Sequence, residues 1–181
     1  MKLSIIIPAY NEQNTISEII SRVKEQKVFN LDKEIIVVDD GSTDNSNDIL
    51  KEIKGIKLLT HKKNRGKGAA IRTGLENVTG DYVLIQDADL ELSPSDYPTL
   101  LKPALEKNAK VVYGSRLIGG VNPDHNFFFY AGGRLVTFVA NLLYGIHITD
   151  EPIGYKLFKT EIIKSLNLKC EGFEFCPEVT A

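Results

Sequence analysis

Four short runs of apolar residues, each followed by a stretch with helical spacing, leave this chain few architectures to adopt. The runs are Leu3-Ser4-Ile5-Ile6-Ile7-Pro8, Glu34 to Val38, Ile56 to Thr60 and Tyr82-Val83-Leu84-Ile85. Each is short, β-rich and bounded by turn residues, so each is predicted to be a strand. Between them Ile16, Ile19, Ile20 and Val23 recur at helical spacing, as do Ile49, Leu50 and Ile53, and then Ile71, Leu75 and Val78. Pro8 is expected to stop the first strand, Thr43 or Asp44 to cap the second helix, and Gly80 to close the third. Ser93-Pro94-Ser95-Asp96 has the chemistry of a helix start, and Pro103 is expected to kink or end that helix early. A fifth strand follows over Lys110 to Gly114. Ala131, Leu135, Phe138, Val139 and Leu142 then mark a longer helix closed by Gly145, with a further strand over Gly154 to Phe158 and a short helix over Thr160 to Leu166. Near-continuous apolar strands need cover on both sides. The pattern predicts an α/β fold with a mainly parallel sheet and helices on both faces.

In such sheets ligands bind beyond the carboxyl ends of the strands, and the polar motifs of this chain fall there. The fourth strand leads into Gln86-Asp87-Ala88-Asp89-Leu90-Glu91, where three carboxylates alternate by two. In extended chain that spacing puts Asp87, Asp89 and Glu91 on one side. Three crowded anions favour a hard cation between them, Mg²⁺ or Mn²⁺, which takes oxygen ligands and leaves positions open for phosphate. A lone Asp-x-Asp is otherwise a solvated acidic turn. Asp39-Asp40-Gly41-Ser42 offers carboxylates for a base N–H or a ribose hydroxyl, or a turn with a helix cap. Tyr10 supplies an aromatic wall and Glu12 a second hydroxyl acceptor. His61-Lys62-Lys63-Asn64-Arg65-Gly66-Lys67 packs cations around a glycine turn that opens a helix, a setting that suits phosphate through charge and free backbone N–H groups. Its spacing is not that of a Walker loop.

Composition removes other classes. A formal net charge of −2 over 181 residues gives no whole-molecule attraction for nucleic acid or an anionic membrane. The mainly apolar stretch from Leu135 to Ile148 is too short to span a bilayer, and the amino terminus enters a strand too soon for a signal peptide. Cys170 and Cys176 read as reduced thiols, and His61, His125 and His147 form no ligand pattern. Residues 1–181 are read as one domain cut short after Thr180-Ala181, and Ser115 to Asn126 as a loop. A phosphoacceptor receiver domain would carry its acidic pair after the first strand and a lone Asp after the third. Here those strands end in Pro8-Ala9-Tyr10 and Thr60-His61.

Taken in order, five motifs carry a resemblance. Ile5-Ile6-Ile7-Pro8-Ala9-Tyr10-Asn11-Glu12, Val37-Val38-Asp39-Asp40-Gly41-Ser42-Thr43-Asp44, Asn64-Arg65-Gly66-Lys67-Gly68-Ala69-Ala70, Asp87-Ala88-Asp89 and Gly114-Ser115-Arg116 resemble the signature of the family 2 glycosyltransferases. Within that family the chain looks most like the polyprenyl-phosphate sugar synthases, such as the dolichyl-phosphate mannose and glucose synthases. The resemblance implies the Rossmann-like GT-A fold, a nucleotide-diphosphate sugar donor (a UDP- or GDP-hexose), a divalent metal and inversion at the anomeric carbon. Carried over by position, Pro8, Ala9, Tyr10, Glu12 and Asp39 line the nucleoside pocket with Asp40 beside it, and Lys67 lies near the nucleotide. Asp87 and Ala88 face the ribose or sugar, Asp89 with Glu91 holds the metal on the diphosphate, and Asp87 completes the acidic set. Mannose-transferring members often carry an amide at the position of Glu91. Arg116 meets the diphosphate or the incoming phosphate. Arg134 and Thr137 fall near the lipid phosphate, with the pattern there shifted by one residue.

The implied reaction leaves negative charge on a nucleoside diphosphate, which a metal held by Asp89 stabilises as a Lewis acid. A hydroxyl acceptor needs a positioned carboxylate to take its proton, whereas a lipid phosphate with a second pKa of about 6 is already ionised near neutrality. Asp150, in Thr149-Asp150-Glu151-Pro152-Ile153-Gly154-Tyr155-Lys156, is the candidate base for the first case and an orienting group for Arg or Lys in the second. Asp150 and Asp89 are therefore the expected catalytic residues. The expected reaction is metal-dependent, inverting hexose transfer to a dolichyl or undecaprenyl phosphate. The alternatives are a saccharide hydroxyl acceptor in cell-surface polysaccharide synthesis, a sugar nucleotidyltransferase, or a silent sugar-nucleotide binder. The expected location is the cytoplasm or the cytoplasmic face of a membrane, with peripheral association and no nucleic-acid partner. Phe127-Phe128-Phe129-Tyr130 reads as helix packing ahead of a lipid surface, and the oligomeric state is left open.

Overall fold

The computed structural model describes residues 1–117 and 131–181 in full and the backbone of 127–130. A six-stranded sheet has the order β3-β2-β1-β4-β6-β5. Its strands are β1 (Lys2–Ala9), β2 (Asp32–Asp39), β3 (Lys57–Thr60), β4 (Tyr82–Ile85), β5 (Val111–Tyr113) and β6 (Lys156–Lys159). β1 is central and pairs in parallel with β2 from Lys2↔Asp32 to Ala9↔Asp39, and with β4 from Leu3↔Tyr82 to Ile6↔Ile85. β3 extends the parallel set beside β2. β6 enters between β4 and β5 and runs antiparallel to both. The predicted mainly parallel sheet is present, with one reversed strand that periodicity could not locate.

Successive side chains of a strand point to opposite faces, and the two faces build separate cores. Leu3, Ile5 and Ile7 of β1 pack with Ile16, Ile19, Ile20 and Val23 of α1 (Ile16–Glu25), Leu50 of α2 (Ser46–Glu52) and Tyr97, Leu100 and Leu101 of α4 (Tyr97–Lys107). Ile6 joins Ile36, Val38, Val83 and Ile85 against Ala70, Ile71 and Leu75 of α3 (Lys67–Leu75), Ile163 of α6 (Thr160–Ser165) and Phe175 and Val179 of α7 (Phe175–Thr180). Helices therefore cover both faces, as the continuous apolar strands require.

Several boundaries differ from the predicted ones. Pro8 does not stop β1, which runs on to Ala9. The Ile6 carbonyl accepts from Gln86 on the β4 side, where pairing ends at Ile6↔Ile85. Pro8 has the same orientation as Ile6 two residues on, so its missing N–H falls where no ladder partner remains. Pro103 lies inside α4 without ending it: Leu100, Leu101 and Ala104 bury the turns on either side, and the helix closes at Asn108 in the left-handed region, φ 55°. α3 ends at Leu75, short of Gly80, although Val78 stays buried. Asn45 holds the cap position of α2 without a side-chain bond, and Asp44 Oδ1 accepts from Ser46 N at 2.9 Å instead.

α5 (Phe127–Tyr144) departs furthest from expectation. Its periodic apolar residues face outward: Leu135 is 64 %, Phe138 64 % and Leu142 71 % exposed, and Val136, Val139 and Leu143 are also exposed. The buried side carries Thr137 and Ala140. The side chains of Phe127 to Tyr130 and the remainder of the predicted loop after Leu117 lie outside the described residues.

Candidate active site

The loops after β1 and β2 form one laced unit at the carboxyl edge of the sheet. Asn11 N donates to Ser42 Oγ at 3.0 Å, Glu12 N to Ser46 Oγ at 2.8 Å and Thr43 N to Asn11 Oδ1 at 2.8 Å. Asn11 adopts the left-handed region, φ 58°, to make this turn. The structure thus brings the Pro8–Glu12 and Asp39–Asp44 motifs together. Asp39 is buried and accepts from Ser42 N at 3.1 Å and from Asn47 Nδ2 at 2.6 Å. Tyr10 is 43 % exposed beside it, while Glu12 Oε2 is bonded to the Thr15 hydroxyl at 2.5 Å.

Asp40 has a different office. Its buried carboxylate accepts from Arg65 N at 3.0 Å and Gly66 N at 2.7 Å and pairs with His61 Nδ1 at 2.6 Å. His61 Nε2 continues to Thr73 Oγ1 at 2.9 Å. Asp40 therefore ties the basic loop of residues 61–66 to the sheet edge, and His61 ties it to α3.

The predicted phosphate cradle of free N–H groups at the start of α3 is not found. Gly68 N donates to Gly172 O at 3.1 Å and Ala69 N to Glu171 O at 3.0 Å, so the segment before α7 already satisfies these amides. A Cβ on Gly66 would stand 2.4 Å from Glu171 O, and one on Gly68 2.5 Å from Cys170 O. The glycine pair serves this close backbone approach. What the turn does offer the site is Lys67, whose Nζ pairs with Asp87 Oδ1 at 2.5 Å and lies 5.9 Å from the Phe173 ring.

Lys67, Asp87, Asp89, Glu91 and Arg116 line a cavity of about 390 Å³ together with Val136, Pro152, Ile153 and Phe173. Its acidic wall is held by Gln86, which is fully buried. Gln86 Nε2 donates to Asp87 O and Leu92 O at 2.9 and 3.1 Å, while its Oε1 accepts from Tyr97 and Tyr155 at 2.8 and 3.0 Å. The chain beyond β4 is not extended. Leu90 takes φ 65°, and Asp89 Oδ1 accepts from Glu91 N at 3.0 Å. The expected one-sided alternation is replaced by a tight turn in which Asp87 pairs with Lys67 and Glu91 reaches Arg116. Among the described residues no three His, Cys, Asp or Glu side chains converge closely enough to hold a metal alone. Burial, with the charges of Asp87 and Glu91 alongside, pushes the Asp89 carboxyl up. The carboxylate oxygens of Asp89, displayed beside a cavity with Asp87 and Glu91 alongside, fit a hard cation that completes its shell from a bound phosphate.

Asp150 does not itself line this cavity but is paired with Arg116, which does. Arg116 N and Nε donate to Asp150 Oδ2 at 3.0 and 2.9 Å, and an Nη donates to Oδ1 at 2.9 Å. Against the upward pull of burial, these bonds hold the Asp150 carboxyl below its ordinary range. The loop that carries it is pinned by Lys156, wholly buried, whose Nζ donates to Glu151 O at 2.8 Å and Ile153 O at 2.6 Å and lies 4.7 Å from the Tyr113 ring. Arg134 is exposed on α5, and Thr137 is buried. The Thr137 hydroxyl donates to Gly133 O and accepts from Glu151 N, so it ties α5 to the Asp150 loop; neither Arg134 nor Thr137 lines the cavity. Cys170 and Cys176 are free thiols.

Sequence reasoning missed Gln86, Gly154 and Phe173. A Cβ on Gly154 would stand 2.1 Å from Asp87 Oδ2, so only glycine leaves room for that carboxylate. The signal for Gln86 was its place inside the acidic run. Nothing in the sequence marked Phe173.

The family model for glycosyl transferase family 2 matches residues 4–166. Among curated proteins, the dolichol-phosphate mannosyltransferase of Pyrococcus furiosus is 30 % identical over 188 residues, covering 99 % of this chain and 52 % of that protein. The UDP-N-acetylglucosamine–dolichyl-phosphate N-acetylglucosaminyltransferase of Methanococcus voltae is 29 % identical, covering 96 % of this chain and 76 % of that protein. This chain thus spans about half the length of the first relative. Among solved structures, the glucosyl-3-phosphoglycerate synthase of Mycobacterium tuberculosis superposes with a TM-score of 0.74 at 23 % identity, covering 97 % of this chain and 62 % of that one. That enzyme has also been solved with Mn²⁺, uridine diphosphate and phosphoglyceric acid. The shared fold is the GT-A fold expected above.

Proposed function

Since the chain belongs to glycosyl transferase family 2, we propose that it transfers a hexose, with inversion, from a nucleotide-diphosphate sugar to a polyprenyl phosphate. The observation that carries this reading is the gathering of Lys67, Asp87, Asp89, Glu91 and Arg116 around one cavity at the carboxyl edge of the sheet. The laced loops that end β1 and β2 stand at the same carboxyl edge of the sheet, although none of their residues lines this cavity. In this reading the nucleoside rests on Pro8, Ala9, Tyr10, Glu12 and Asp39, with Asp40 holding the adjoining basic loop. Asp87, positioned by Lys67 and by the space at Gly154, meets the sugar or ribose together with Ala88.

Asp89 and Glu91, beside Asp87, would hold Mg²⁺ or Mn²⁺, which as a Lewis acid stabilises the charge left on the departing diphosphate. Relatives named for dolichyl phosphate support a lipid phosphate acceptor, and to it we assign Arg116, a cation that lines the cavity, with Arg134 on α5. No helix of the described residues is long and apolar enough to cross a membrane. The outward apolar side of α5 supports work against a membrane surface, which this reading takes to be the cytoplasmic face.

The test is transfer of labelled hexose from UDP- and GDP-hexoses to farnesyl phosphate, with and without Mn²⁺, followed by anomeric analysis of the product. Lipid-linked sugar of inverted configuration is expected. Product that forms only on a sugar hydroxyl, or an activated nucleotide sugar made from a sugar phosphate, overturns the proposal.

A further inference from the structure

The structure leaves one carboxylate with a role to assign. We propose that Asp150 is a positioning residue: it fixes the Arg116 guanidinium in the cavity wall so that the free edge of that group receives the ionised phosphate of the acceptor. This rests on the reading above that the acceptor is a phosphate.

Asp150 is 5 % exposed and takes three hydrogen bonds from Arg116, one from the backbone and two from the guanidinium. A carboxylate offers about four acceptor positions, so little of this one is left to remove a proton. The guanidinium has five N–H groups in a rigid fork. Two point at Asp150 and one reaches Glu91 Oε1 at 3.4 Å, leaving two without a partner among the described residues. Two N–H groups on a planar fork match the spacing of phosphate oxygens.

The placement of Asp150 is fixed from both sides. Asn141 of α5 bonds Ile148 through both its amide atoms, at 2.9 Å each, and Thr137 accepts from Glu151 N at 3.0 Å. On the far side the Thr149 hydroxyl donates to Ser115 Oγ at 2.8 Å, next to Arg116. The charged groups around Asp150 are Arg116 from the loop after β5 and Lys156 of β6, with Glu91 beyond Arg116. Both neighbouring cations favour the ionised carboxylate, which makes it a weak acceptor for a hydroxyl proton. A phosphate acceptor asks for no base; it asks to be held in line.

A double-mutant cycle decides the role. Wild type, Asp150→Asn, Arg116→Ala and the double variant are compared for kcat and for KM of donor and acceptor, across pH, with farnesyl phosphate. Asp150→Asn is expected to lose about 10²-fold in kcat/KM for the acceptor, the scale of a misplaced contact, with donor KM unchanged. The double variant should lose no more than Arg116→Ala alone. The acidic limb of the pH profile should keep its wild-type midpoint. Multiplying losses, or a kcat collapse with wild-type acceptor KM and a vanished acidic limb, overturns the assignment in favour of a base.

If Asp150→Asn does not fold, Arg116→Lys replaces it. A point charge cannot supply the fork, so the same rise in acceptor KM is expected, and a wild-type acceptor KM overturns the proposal. A wild-type chain that glycosylates only a hydroxyl acceptor defeats the phosphate reading instead, and the same cycle on that acceptor still separates positioning from base.

Discussion

At the scale of single residues, the chemistry of the site depends on how charge is arranged over a few ångströms. Asp89 stands exposed on the cavity wall, where desolvation and the like charges of Asp87 and Glu91 push its carboxyl up. A bound divalent cation would relieve that repulsion, so Asp89→Asn should abolish the Mn²⁺-dependent part of nucleotide affinity and leave thermal stability at or above wild type. Titration calorimetry with UDP and GDP, with and without Mn²⁺, checks this; unchanged metal-dependent affinity would refute the role of Asp89. Gly154 is constrained by its neighbour, because an added Cβ falls 2.1 Å from Asp87 Oδ2. Gly154→Ala should therefore displace Asp87 from Lys67 and cost about 1–3 kcal/mol, the usual range for overpacking. Chemical denaturation measures the stability loss, and a parallel loss of donor affinity is expected.

At the scale of elements, α5 shows that helical periodicity and burial are separate facts. The repeat of Leu135, Phe138, Val139 and Leu142 marks a helix correctly, yet this face is exposed, while Thr137 and Ala140 make the contact with the fold. Phe138→Ser should then leave stability within about 0.5 kcal/mol of wild type but lower binding to liposomes. Thr137→Val leaves the buried Glu151 N–H unpaired and should cost about 1–3 kcal/mol. Urea unfolding of the two variants tests the contrast.

At the opposite edge of the sheet, Glu34 of β2 clamps β1 and the turn before β4. It accepts from Lys2 Nζ at 2.8 Å, from the Ser4 hydroxyl, and from Thr79 N at 2.6 Å. Burial pushes this carboxyl up, but those bonds outweigh it and bring the pKa from 4.5 down to about 2. The depressed value means that the clamp contributes fully above the unfolded-state pKa. Its contribution is lost as pH falls from about 4.5 through about 2. Glu34→Gln should be less stable than wild type at neutral pH and show a shallower acid decline over that window. Thermal unfolding across pH measures both slopes, and parallel curves would contradict the clamp.

At the scale of the whole molecule, binding should be visible as stability. If a nucleoside diphosphate with Mn²⁺ occupies the site, ligand at a hundred times its Kd adds about 2.7 kcal/mol, which in a domain of this size raises Tm by about 5–10 °C. Comparing UDP, GDP, CDP and dTDP by thermal shift ranks the bases, and no metal-dependent shift with any of them would contradict the proposed donor class.

The alternation of apolar runs with helical spacing was sufficient to determine an α/β sheet covered on both faces, because burial on two sides demands continuous apolar strands and local chain stiffness sets the periods. The motif order was sufficient to place the candidate site residues at the strand ends. Tertiary structure alone decided that β6 runs backwards between β4 and β5, that Gly66 and Gly68 admit residues 170–172, that α5 turns its apolar side outward, and that Asp150 is paired to Arg116. Each of these depends on segments far apart in the chain meeting in space. Local propensity carries no record of which distant partner will take up a given N–H, carboxylate or apolar face.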